Sequence, residues 1–155
     1  MRNSNFDLGD VYIERCIKET DEGIAVESRN FLKQSLQYLE KHKNEYIYLE
    51  AKSFEELGVD GVCLEVDDVF RTYDVILGLK LQKKYGTALK NILHTKLQGN
   101  ETTFDLMFNQ ADGLWDLNFG LNFVEGFQNE LPLEKAFQLI FQFLEELIEE
   151  VEVSK

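Results

Sequence analysis

Two histidines and two cysteines are the softest potential ligands in the sequence, and their spacing assembles no site. His42 and His94 stand far apart, Cys16 and Cys63 form no CxxC pair, and there is no HExxH, Cys/His quartet or EF-hand loop. No metal or cofactor is therefore expected. The histidines read as exposed polar residues and the cysteines as reduced thiols. The GxSxG elbow, the GxxxxGK[ST] loop and the GxGxxG turn are absent as well. A catalytic role stays open, and the residues favour a non-enzymatic one.

The remaining groups that could act together are carboxylates and amides. Asp105, Asp116, Asn118 and Asn122 alternate with apolar residues, so they are expected on one polar sheet face, where they hold a ligand or simply meet water. Glu145, Glu146, Glu149, Glu150 and Glu152 form a second cluster. They fall mainly opposite an apolar stripe and are expected to face solvent. A pair of them could ligate a metal, but no histidine stands at ligand spacing.

Charge is unevenly distributed. The 155 residues carry 29 acidic against 16 basic groups, a formal charge of −13, which argues against nucleic acid or an anionic bilayer as partner. Between Asp74 and Glu101 there is no acidic residue, while Lys80, Lys83, Lys84 and Lys90 form a basic patch and Lys96 follows. From Leu97 through Glu134 there is no Lys or Arg. Such segregation suits a self-complementary assembly or a charged partner, the plain alternative being surface solvation. No signal-peptide core opens the chain and Val75 to Leu79 is among the longest apolar runs, so a cytoplasmic location without a membrane span is expected.

These groups need elements to position them. With 44% hydrophobic residues, one Pro and no linker, residues 1–155 read as a single domain. Val11 to Ile17 and Ile24 to Val26 predict a hairpin across Thr20 to Gly23. Ser28 predicts the cap of one helix through Phe31, Leu32, Leu36 and Leu39. Tyr46 to Ala51 fits a strand or a helix. Ser53, Glu56 and Gly58 resemble a capped single turn, and Val62 to Val66 a strand after an Asp60-Gly61 turn. Val66 to Leu81 is ambiguous, read as a short helix or turn before a strand near Val75 to Leu81. Lys83 to Leu97 reads as a helix ended by Gly99-Asn100. Phe104 to Phe108 and Trp115 to Phe123 alternate as a long hairpin around Asp112-Gly113, with Trp115 on the inward row.

The last element starts at Pro132 and runs to about Val151 as a long amphipathic helix. Its stripe of Leu133, Ala136, Phe137, Ile140, Leu144, Leu147 and Val151 is flanked by Leu139 and Phe143 on one side and Phe141 and Ile148 on the other. The arc is wider than one packing partner requires, so Leu139, Phe143, Phe141 and Ile148 are expected as an interaction surface, with Phe143 in a homodimer seam. The phenylalanines of the hairpin and this helix read as core. The whole predicts an α+β fold, an antiparallel sheet with helices packed on one face. The function expected is a non-enzymatic acidic protein–protein interaction module of small-chaperone, immunity or adaptor type, binding a protein partner or itself. The alternatives are a small-molecule binder or enzyme with a pocket between sheet and helices, and an oligomeric structural protein.

Overall fold

The computed structural model describes residue 6, residues 8–97 and residues 104–153. Its strands are β1 (Tyr12–Ile17), β2 (Gly23–Glu27), β3 (Glu45–Glu50), β4 (Val59–Val66), β5 (Tyr73–Leu79), β6 (Phe104–Asn109) and β7 (Leu114–Gly120). They form one antiparallel sheet in the order β2-β1-β3-β4-β5-β7-β6. Four α-helices are present among the described residues: α1 (Tyr38–Lys41), α2 (Lys52–Glu56), α3 (Gly86–Lys96) and α4 (Leu133–Val153). The fold is α+β.

Alternation in the sequence becomes two sheet faces, because successive side chains of a strand point to opposite sides. On one side Ile13, Leu49, Val62, Leu77, Leu117 and Leu106 pair across the strands, and all but Leu106 are buried. The helices pack there. Tyr46 to Ala51, left open between helix and strand, is strand β3, and the Val75 to Leu81 segment is β5. Trp115 is buried as expected, its Nε1 donating to the Gln82 carbonyl at 3.3 Å.

Several local expectations are corrected. The helix from Ser28 through Leu39 is instead a 3-10 turn at Arg29–Lys33 followed by the four-residue α1, and Ser28 makes no side-chain cap. Tertiary pairing breaks it. Leu36 N donates to Leu131 O and Leu133 N to Gln34 O, both at 2.7 Å, so residues 34–36 are held extended against the chain entering α4. Asp60-Gly61 is no turn but part of β4, at an irregularity between Val59 and Val62. Strand β7 stops at Gly120, and Leu121–Phe123 form a 3-10 turn. The expected α3 terminators Gly99 and Asn100 lie outside the described residues.

Helix α4 also explains its own wide apolar arc. Phe143 is only 4% exposed and its ring lies tilted 4.8 Å from that of Phe119. Phe141 packs on Phe6 and Phe54 at 5.2 and 5.9 Å between centroids, Ile148 is buried, and Leu139 lies against Gly126. The arc is covered within the chain by the sheet, α2, α3 and the 124–126 segment. The expectation that Phe143, Phe141 and Ile148 form an exposed surface is thus overturned, and Leu139 alone of the four remains half-buried. With Phe143 in the core, the wide arc no longer argues for a homodimer seam.

Candidate functional site

The face of the sheet away from the helices carries the groups not consumed by packing. One unbroken row crosses all seven strands as Val26, Glu14, Tyr48, Cys63, Ile76, Asn118 and Asp105. Beside it Tyr46 pairs with Cys16, and Glu65 with Asp74. On its other flank Tyr12 pairs with Glu50, and Met107 with Asp116. Carboxylates therefore stand on six of the seven strands of this face or its margins. A cation at its margin is Lys18, whose Nζ donates to the Val66 carbonyl and lies 3.7 Å from Glu65.

Apolar groups are interleaved with those charges. Met107 is 69% and Val26 64% exposed, and Tyr12 and Ile76 are also exposed. Tyr12 meets Tyr48 edge to face at 6.3 Å, and donates to Glu14 at 2.9 Å. Tyr48 donates to Glu50 and lies over Gly61, where a Cβ would meet the ring at 2.6 Å. Glycine there makes room for the aromatic platform.

Burial shapes the titration of this face. Desolvation pushes the Asp74 carboxyl up to about 6, with Asp67 and Glu65 adding and the Thr72 hydroxyl opposing. Burial likewise pushes the Cys63 thiol up to about 11, and raises that of Cys16. Both thiols are free and are held in the unreactive protonated form at neutral pH.

At the end of the face bearing Glu65 and Asp74, the β4–β5 turn presents Val69 and Phe70, 81% and 77% exposed. This is an ordered projection. Asp67 Oδ1 accepts from the backbone N–H groups of Val69 and Phe70, each at 2.8 Å, and Arg71 takes φ 57 to close the turn. Of the short helix or turn left open before the strand, the structure has the turn, and it holds both side chains in solvent.

The residues singled out in the sequence separate into two groups. Asp105, Asp116 and Asn118 do share the open face. Asn122 does not: its Oδ1 accepts from Tyr73 N at 2.7 Å and fixes the start of β5. Tyr46, Tyr48, Glu14, Glu50, Glu65 and Asp74 were missed, although reading Tyr46 to Glu50 as a strand places Tyr46, Tyr48 and Glu50 on one side.

The basic patch is elsewhere. Lys80, Lys83, Lys84 and Lys90 are exposed near the 3-10 turn Lys83–Tyr85 and α3, with no ion-pair partner among the described residues. Lys96 is different, lying 3.2 Å from Glu150, 3.8 Å from Glu146 and 5.8 Å from the Phe143 ring centroid. These residues line a cavity of about 530 Å³ with Val124, Glu125 and Leu139. Glu145 departs from its expected solvent position and is buried.

Neither histidine joins these surfaces. His42 stacks on Tyr38 at 4.0 Å, and His94 meets Phe104 edge to face at 4.9 Å. Among the described residues no three His, Cys, Asp or Glu side chains converge as a metal site, and no helix is long and apolar enough to cross a membrane. Compared with family models, curated proteins and solved structures, the chain gives no significant match.

Proposed function

We propose that the protein is a non-catalytic interaction module whose open sheet face docks a cationic protein surface. The observation that supports this most is the set of carboxylates Glu14, Glu50, Glu65, Asp74, Asp105 and Asp116 that six strands bring to the open face and its margins, with exposed Val26, Ile76 and Met107 between the charges. Charge steers the encounter, and apolar contact adds affinity that salt does not screen. The projecting Val69 and Phe70 extend that apolar contact at the rim.

A second copy is a poor occupant for this face, because apposing two carboxylate rows costs repulsion. A reading as an enzyme draws less support. At the cavity beside α3 and α4, Lys96 is already engaged by both Glu146 and Glu150.

The test is affinity capture from native cell extract at low and high salt, using wild type and the Asp105→Lys/Asp116→Lys variant, followed by identification and purification of what is retained. The reading predicts a protein with a basic surface, bound by wild type at low salt and lost by the variant. Retention indifferent to both salt and variant would contradict it.

A further inference from the structure

The two ends of the sheet differ in a way the open face does not explain. An edge strand exposes backbone N–H and C=O groups that can template another strand, and proteins usually blunt such edges by shortness, bulges, Pro or Lys. Strand β2, at one end, has five residues, begins at Gly23 and carries a register shift opposite Arg15 and Cys16. Strand β6, at the other end, has six residues in unbroken register with β7 and contains no Gly, Pro or Lys.

The side chains of β6 are as incomplete as its backbone. Phe104, Leu106 and Phe108 face the helix layer half-buried, whereas their β7 partners Phe119, Leu117 and Trp115 are buried. Among the described residues no strand flanks them on the outer side. An added strand would cover them.

The charge beside this edge is opposite to that of the open face. Helix α3 runs over β6: Lys83 Nζ, just before the helix, lies 5.9 Å from the Phe108 ring centroid, and His94, near its end, touches Phe104. At about 100° per residue Lys90 stands one turn before His94 on the same side of α3. Lys83 and Lys90 therefore follow the free edge, and neither is neutralised by an ion pair among the described residues.

We propose that β6 and these lysines form a docking strip for an extended acidic segment of a partner protein, added to the sheet as an eighth strand. This goes beyond the cationic partner of the open face. Its chemistry follows from the pairing. Residues opposite Phe104 and Phe108 point to the helix side, so carboxylates four positions apart reach the lysines, while an apolar residue midway between them covers Leu106. The neighbouring positions face Asp105 and Met107 and should be uncharged, since a carboxylate opposite Asp105 is repelled.

The probe is the capped heptapeptide Ser-Glu-Thr-Val-Val-Glu-Ser, titrated into isotope-labelled full-length protein and followed through backbone amide signals. The expected result is a saturable shift confined to Phe104–Asn109 and neighbouring α3 amides. It should weaken with salt, be absent with the peptide carrying Lys for both Glu, and fall at least about tenfold in affinity in Lys83→Glu/Lys90→Glu. Both lysines are exposed, and the variant's amide spectrum verifies its fold. No shift of Phe104–Asn109 at millimolar peptide, an equal response to the lysine peptide, or undiminished binding by the variant would overturn the proposal. The open-face reading is judged separately, by whether its captured partner protects Glu14 and Glu50, which lie on β1 and β3 away from this edge.

Discussion

The two faces of the sheet are made by the same strands and the same alternation, yet they do different physical work. On the covered face, Phe119 and Phe143 pack in a buried apolar layer, and at its margin Arg15 holds Glu27 at 2.7 Å and Glu45 at 3.3 Å. On the open face the charges are mostly carboxylates, and the apolar groups stand singly between them. Stability therefore resides on the covered side, and the recognition proposed above falls on the other. Substitutions should divide accordingly.

The sharpest contrast lies between neighbouring strands. Phe119→Ala should lower unfolding free energy by about 3–5 kcal/mol, because it opens a cavity in a fully enclosed layer. Ile76→Ala, on the open face, should cost about 1 kcal/mol or less. Denaturant titration of both variants measures the difference, and equal losses would break the division. Next in size is Arg15→Leu, which leaves Glu45 buried beside Tyr38 and Glu27 without its cation. The expected loss is about 2–3 kcal/mol, at the low end for a buried pair because the network is partly exposed to solvent.

Charge reversal on the open face should be nearly silent in the same assay. Asp105→Lys/Asp116→Lys should change stability by no more than about 0.5 kcal/mol, since both positions are exposed, while removing salt-sensitive capture of a cationic partner. A collapse in stability would show that these carboxylates serve the fold. A pH-dependent effect concerns Asp74. Its carboxyl, 3.8 in an unperturbed chain, is raised by burial to about 6, so the folded state binds the proton more tightly than the unfolded one. Stability should fall as pH rises from about 4 to about 6, because the ionised carboxylate is disfavoured in the fold. Thermal melts of Asp74→Asn should lack that slope, and an unchanged slope would assign it to another group.

The covered face was legible in the sequence because period-two and period-3.6 apolar patterns record burial directly. The hairpin from Phe104, the inward position of Trp115 and helix α4 all follow from it. The segment from Ser28 to Leu39 misled, since its helical spacing is served by two short turns joined through backbone pairing with Leu131 and Leu133, contacts absent from local pattern. Phe143 misled for a related reason: one wide arc does not reveal how many elements of the same chain share it. The open face was half legible. Asp105, Asp116 and Asn118 advertised themselves by alternation, but Glu14, Tyr48 and Cys63 became neighbours only through the strand order and register.

The central claim is that the open face receives a cationic partner. Carboxylate footprinting with a water-soluble carbodiimide and glycine ethyl ester, on the protein alone and with its purified captured partner, tests it most directly. Protection is predicted at Glu14, Glu50, Asp105 and Asp116, with Glu125 and Glu134 still modified. Unchanged modification of those four residues in the complex, or protection confined to the helix side, would contradict the account.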